Sequence, residues 1–179
     1  MTMRLRALGV DDLPVLAGWL GAPHVARWWR EPSDLASVTA RYGPLAAGVE
    51  PTEGLIVELD CRPVGFVQRY LLRDDPQWAA TVAVGVGELE AASIDYLIGE
   101  ERLTGRGLGG RMVALVAADS WDRHRTIDAI VVDVRAEHRA SWRALERAGF
   151  ERVWSGTLAS EDPSDDGPAH LYLQRRPDP

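Results

Sequence analysis

The stretch Thr104-Gly105-Arg106-Gly107-Leu108-Gly109-Gly110 decides how this chain is read. It follows a short apolar run, Ala92-Ser93-Ile94-Asp95-Tyr96-Leu97-Ile98-Gly99, built of strand formers with one carboxylate. It precedes Met112, Val113, Leu115, Val116 and Trp121, which recur at helical spacing. A strand, a Gly-rich loop and a helix in that order leave bare N–H groups at the positive end of a helix dipole, a cradle for phosphate. The glycines run G-x-G-x-G-G, not the G-x-G-x-x-G of dinucleotide-binding folds, and the Lys-Ser/Thr of a Walker-type loop is missing. What fits is a pyrophosphate held by the loop, with a polar side chain on the strand before it. That arrangement suits an acyl-CoA ligand.

Working outward, Met3 to Leu8 alternates and reads as a strand, and Asp11-Asp12-Leu13-Pro14 opens a helix that stops at Gly21. Pro23 to Glu31 reads as a short turn, and Pro32-Ser33-Asp34 starts a helix through Tyr42. Leu55 to Leu59 and Val64 to Leu72 are hairpin strands around Asp60-Cys61-Arg62-Pro63. Residues 73–87, with Asp74-Asp75-Pro76 and two glycines, read as a loop. Past the Gly loop, the helix runs to about Arg123, and Ala129 to Val134 is an apolar run carrying Asp133, as in a buried strand. Ala140 to Ala148 is helical with a stop at Gly149, and Phe150 to Leu158 and His170 to Gln174 close the sheet around an acidic loop. The expectation is one mixed α/β domain over residues 1–179.

With 179 residues and 46% hydrophobic content the chain can bury one ordinary core. A net charge of −7 argues against nucleic acid as a partner and suits a cationic small substrate. All 20 basic residues are Arg. The lone Cys61 forms no internal disulfide and has no base beside it in sequence, so a reducing cytoplasm is expected and catalysis through the thiol is not. No run approaches the roughly 20 apolar residues of a membrane span, and no export signal is legible. His24, His124 and His170 show no ligand spacing, so no metal is assigned.

The order of elements and two motifs resemble the GNAT superfamily of acyl-CoA-dependent N-acyltransferases, from Met3 to Gln174. The first motif is its Arg/Gln-x-x-Gly-x-Gly loop, here Thr104-Gly105-Arg106-Gly107-Leu108-Gly109, with Thr in place of the basic or amide residue. The second, Asn-x-x-Ala-x-x-x-Tyr-x-Lys-x-Gly-Phe, is matched by His138 to Phe150, with His138 for Asn, Ser141 for Ala and Leu145 for Tyr. Within the superfamily the chain is most similar to aminoglycoside 6′-N-acetyltransferases. His24-Val25-Ala26-Arg27-Trp28-Trp29, Gly65-Phe66-Val67-Gln68-Arg69-Tyr70, Ile94-Asp95, Asp133 and Asp166-Gly167-Pro168-Ala169 carry that likeness in order. Siderophore-tailoring lysine acyltransferases share the Trp-Trp pair and the Leu-Ile-Gly ending, but usually place His where Asp95 stands.

The resemblance implies a mostly antiparallel, splayed sheet flanked by helices, and acetyl-CoA as acyl donor. Asp95 would take the proton of the attacking amine. The backbone of Tyr96, Leu97 and Ile98 would pair with the pantetheine, an N–H near Leu97 would donate to the oxyanion, and residues Arg106, Gly107, Leu108, Gly109 and Gly110 would hold the pyrophosphate. His138, Ser141 and Trp142 complete the expected cofactor contacts. Leu145 removes the usual Tyr acid, leaving Ser141 or water to protonate the thiolate. Trp28, Trp29, Gln68, Tyr70 and Trp78 would wall an acceptor pocket, with Asp133 and Asp166 as its anions. Each residue also has a plainer role: a solvated strand carboxylate for Asp95, core packing for one Trp, a strand cap for Asp133 and a turn for Asp166. The expected activity is acetyl transfer to a small cationic amine, an aminoglycoside 6′-amine first, by a monomer or homodimer. The alternatives are a siderophore-type (hydroxylysine-like) amine acyltransferase and a non-catalytic acyl-CoA sensor.

Overall fold

The computed structural model describes residues 2–160, 162–165 and 167–177. Seven strands form one open sheet in the order β1-β2-β3-β4-β5-β7-β6, and the chain packs as two compact units. The first comprises Met1–Arg69 with Asp95–Arg106, and the second Tyr70–Ile94 with Gly107–Pro179.

In the first unit, β1 (Met3–Ala7) runs antiparallel to β2 (Glu53–Leu59), which turns into β3 (Arg62–Leu71). Asp60 and Cys61 take φ of 47° and 66° at that turn, the left-handed pair of a tight hairpin, and Asp60 Oδ1 accepts from Thr2 N–H at 2.8 Å. Three helices follow β1: α1 (Leu13–Leu20), α2 (Pro23–Trp29) and α3 (Leu35–Ala46). Pro14 sits in the first turn of α1, Pro23 starts α2, and the Asp34 carboxylate caps α3 by accepting from Ser37 N–H at 2.9 Å. Leu16, Leu20, Val25, Val38, Tyr42, Ile56, Phe66 and Leu97 form the core of this unit. The segment expected as a turn after α1 is thus a helix, because Val25 is drawn into that core.

In the second unit, α4 (Pro76–Val86) occupies the segment expected to be a loop. Asp75 caps it through Trp78 N–H at 2.9 Å, Pro76 is its first residue, and Val82 is buried. Gly85, which reads as a breaker, is there for close approach: a Cβ on it would fall 2.5 Å from Trp154 Cβ. β4 (Ala91–Ile98) runs parallel to β5 (Ala129–Arg135) over Ala91↔Ala129, Ala92↔Ile130 and Ser93↔Val131. The Asp95–Ile98 half of β4 continues past the last of these pairs. β5 pairs antiparallel with β7 (Pro168–Arg175), and β7 with the edge strand β6 (Glu151–Thr157). Helices α5 (Leu108–Arg123) and α6 (Arg139–Arg147) pack on each other. Alternation along β5 gives Ala129 and Val131 to a core shared with Val82, Leu171, Trp78 and Trp154.

Candidate active site

Within the first unit, the end of β4 carries Asp95, Tyr96, Leu97 and Ile98. Leu97 is buried in the core, whereas Asp95, Tyr96 and Ile98 are half-buried. The strand's last carbonyl, Ile98 C=O, accepts from His24 Nε2 of α2 at 3.0 Å. The next amide, Gly99 N–H, donates to Val64 C=O at 2.9 Å. Sequence gave no role to His24, because no local pattern shows that its ring meets a strand 74 residues away.

The tryptophan pair divides. Trp29 packs on the core, tilted against Phe66 at 6.1 Å, and its Nε1–H donates to Tyr42 Oη at 3.0 Å. Tyr42 is fully buried and donates in turn to Glu31 Oε2 at 2.6 Å, and burial first, then the Glu31 charge, pushes its phenol up. Trp28 stays half-buried with the Arg27 guanidinium stacked 4.6 Å from its ring. Gln68 is 6% exposed on β3, and its Oε1 has no hydrogen-bond partner among the described residues. A buried amide with an orphaned end requires a donor, because leaving it unmade costs about 1–3 kcal/mol.

Gly105 in the first unit and Gly107 in the second take φ of 70° and 79°, which only glycine adopts freely, and Gly107 is the N-cap of α5. The first bond of the helix runs from Arg111 N–H to Gly107 C=O at 3.4 Å, so the amides of Leu108, Gly109 and Gly110 precede the helical ladder. The N-cap residue, Gly107, has no side chain to cap them. A Cβ on Gly107 would meet nothing within 4 Å, so the space beside the N-cap is open. Gly110 has a second duty, since a Cβ there would press on Arg147 of α6 at 3.2 Å. Arg106 falls in the first unit and is exposed.

His138 is the N-cap residue of α6, and Ser141 lies in its first turn. The half-buried Trp142 donates Nε1–H to Ala136 C=O at 3.3 Å and takes Arg143 over its ring at 5.5 Å. Leu145, where the resemblance led to a Tyr, is fully buried. Tyr70 and Trp78 are half-buried, and Trp78 packs on the core with its Nε1–H unpartnered among the described residues. Asp133 is half-buried on β5; burial pushes its carboxyl up to about 7, reinforced by the Asp165 and Asp162 carboxylates. Two residues on, Arg135 is bonded to Glu137 at 3.0 Å, while its Nε and Nη1 are unpartnered among the described residues. Asp166 lies outside the described residues.

Comparison with known proteins defines the family. Residues 10–158 match the acetyltransferase (GNAT) domain. The chain belongs to the GNAT acetyltransferase family. As a GNAT protein it is an acyltransferase, and the α/β open sheet with its Gly loop at the start of α5 is the fold of that family. It is 31% identical, over 98% of its own length and 84% of theirs, to the type 1 aminoglycoside N(6′)-acetyltransferases of Klebsiella pneumoniae and Serratia marcescens. Among solved structures it is similar to the aminoglycoside acetyltransferase AAC(6′)-Ib with coenzyme A, at 28% identity and a TM-score of 0.82, covering 98% of this chain and 95% of that one. A complex of that enzyme with coenzyme A and kanamycin gives 29% identity and a TM-score of 0.81 over the same shares.

The chemistry of a GNAT N-acetyltransferase is acetyl transfer from acetyl-CoA to an amine. Among the described residues no group of three or more His, Cys, Asp or Glu is placed to hold a metal ion. Among the described residues no helix is long and apolar enough to cross a membrane.

Proposed function

We propose that this chain acetylates the 6′-amine of an aminoglycoside-like polycation. The observation that carries the acceptor is Gln68, a buried amide with an orphaned oxygen on the Gly-aromatic-x-Gln-x-Tyr strand. Ammonium and hydroxyl groups are the donors it lacks, and an amino sugar is made of both. The Trp78 indole N–H, unpartnered among the described residues, asks in turn for an oxygen acceptor. The net charge of −7 and the Asp133 carboxylate favour a cation, and the 31% identical relatives are named for this activity.

The bare amides of Leu108, Gly109 and Gly110, at the positive end of α5, fit a pyrophosphate. Acetyl-CoA supplies the activated acyl group as a thioester. The backbone of Tyr96–Ile98 lies along the pantetheine, and an N–H near Leu97 donates to the oxygen on which charge develops, worth roughly 3 kcal/mol in such sites. A protonated amine cannot attack, so Asp95 takes its proton directly or through water. The C–N bond forms as the C–S bond breaks; of the two protons the ammonium loses, the one taken by Asp95 passes to solvent and the other ends on the departing thiolate or on solvent. Leu145 offers no phenol, so the thiolate leaves at its own thiol-like pKa or is protonated by Ser141 or water.

The test is thiol release from acetyl-CoA with kanamycin-type aminoglycosides, simple diamines and hydroxylysine-type amines. Turnover with the aminoglycosides at kcat/KM well above the diamines is expected. Preference for long acyl chains and hydroxylysine, or cofactor binding with no release for any acceptor, overturns the assignment. Asp95→Asn is expected to lower kcat by about 10²–10⁴-fold with little change in acetyl-CoA affinity.

A further inference from the structure

The peptide group joining Ile98 to Gly99 has all its polar atoms engaged. Its C=O accepts from His24 Nε2, 3.0 Å away, and its N–H donates to Val64 C=O at 2.9 Å. A carbonyl oxygen has no proton to give, so the imidazole must be the donor, with its hydrogen on Nε2. On the far side, the Trp19 indole lies where a Cβ of Gly99 would be, 2.1 Å from Cε2. Helix α1, helix α2 and strand β3 therefore fix one planar peptide unit. A strand-end carbonyl ordinarily finds water or another strand. Here it takes a half-buried side chain from a helix 74 residues earlier.

We propose that His24 is a positioning residue: through Ile98 C=O it sets the plane of the peptide that ends β4, and so the aim of the Leu97 and Ile98 backbone toward the thioester. The proposal rests on the acetyl-CoA reading of that strand. Two features support a positioning role over simple packing. The contact is a hydrogen bond to the backbone carbonyl of Ile98, the last of the three residues that would contact the acyl donor. The helix that bears it is pinned at its other end by Trp29 Nε1–H on Tyr42 Oη at 3.0 Å, so a shift of the ring along the strand strains a part-buried bond. Misplacement of a reacting group by an ångström can cost about 10²-fold, so a one-bond anchor at this point has leverage on rate.

His24→Ala removes the donor, and His24→Gln keeps an N–H able to reach the same carbonyl. Amide hydrogen exchange of the free protein reads the anchor, and calorimetric titration with acetyl-CoA and steady-state kinetics read its consequence. In His24→Ala, exchange at Gly99 should speed up about tenfold or more, as expected when a local anchor opens. The KM for acetyl-CoA should rise severalfold and kcat fall about 10–100-fold, with exchange in β5 unchanged. His24→Gln should recover most of each. Equal behaviour of the two variants, or unchanged Gly99 exchange in His24→Ala, overturns the proposal. So does a fall in activity that tracks the folded fraction while KM for acetyl-CoA stays put. A wild-type chain that takes up no acetyl-CoA instead sinks the acyl-transfer reading, and with it the role given to the anchor, which separates the two failures.

Discussion

The Cα of Gly99 lies so close to the Trp19 indole that a Cβ built on it would sit 2.1 Å from Cε2 and 2.3 Å from Nε1. This contact seats helix α1 on the end of β4. It explains why the Leu-Ile-Gly ending carries no side chain at its third position. Gly99→Ala is therefore expected to destabilise the protein by about 1–3 kcal/mol, the usual cost of overpacking. Trp19→Leu should cost stability by itself through lost burial, yet make Gly99→Ala nearly neutral. Chemical denaturation of both single variants and the double variant measures the coupling, and strict additivity would show that the clash is relieved elsewhere.

Gly107 and Gly105 both sit at positive φ with open space around the missing Cβ. Alanine at either should cost about 1–2 kcal/mol of backbone strain, a fall in Tm of roughly 2–8 °C. They should differ in ligand binding. Gly107 caps α5 beside the amides proposed for the pyrophosphate, so Gly107→Ala should weaken acetyl-CoA by about tenfold or more. Gly105→Ala should leave that affinity within about threefold. Titration calorimetry of the two variants decides whether the loop is a cradle or a plain turn.

Asp133 is held up to about 7 by burial and by the Asp165 and Asp162 carboxylates. Its folded value is above the unfolded one, near 3.8, so the folded protein binds this proton more tightly. Its contribution to stability therefore falls as pH rises from about 4 to about 7 and then stays low. Asp133→Asn should match the wild type near pH 4 and exceed it at pH 8 by about 1–2 kcal/mol, after allowance for its part-exposure to solvent. A polycationic acceptor stabilises the ionised form, so kcat/KM for the acceptor should rise through pH 7 in the wild type. Loss of that rise in Asp133→Asn, with acetyl-CoA kinetics unchanged, ties the carboxylate to acceptor binding.

Arg6 grips Asp12 with two hydrogen bonds, at 2.6 and 2.7 Å, and reaches Glu58 at 2.8 Å. The bond to Arg6 is the largest cause holding Asp12 and Glu58 below their usual carboxylate values. Their contribution is complete above the unfolded values of 3.8 and 4.5, and is lost as pH falls through the lower folded values. Arg6→Gln should lower stability by about 1 kcal/mol at pH 7 and narrow its gap to wild type below about pH 3. Urea midpoints across that range give the answer.

How far the sequence reached depends on the range of the forces involved. The Gly loop was legible because a positive φ at Gly105 and Gly107 is a local demand that only glycine meets cheaply. The β2–β3 hairpin was legible from two runs of strand formers around Asp60-Cys61-Arg62-Pro63, and β5 from an apolar run carrying Asp133. Helix α4 was not, since Asp75-Pro76 and Gly85 also spell a loop. The helix exists because Val82 and Trp78 find a core and Gly85 lets Trp154 approach. The Trp-Trp pair was visible as a unit, but which ring packs inward turned on Tyr42 and Phe66, 13 and 37 residues later.

What the sequence determined by itself is the order of the strands along the chain, the loop that opens α5, and the residue types at each proposed site: short-range backbone preference and periodicity settle these. What the tertiary structure decided is the state of those residues. Trp29 became core, Gln68 kept a buried oxygen without a partner among the described residues, Asp133 was pushed toward neutrality, and His24 was spent on the carbonyl of Ile98. Each of these depends on groups far apart in the chain, and desolvation and hydrogen bonding act on whatever the fold brings within a few ångströms.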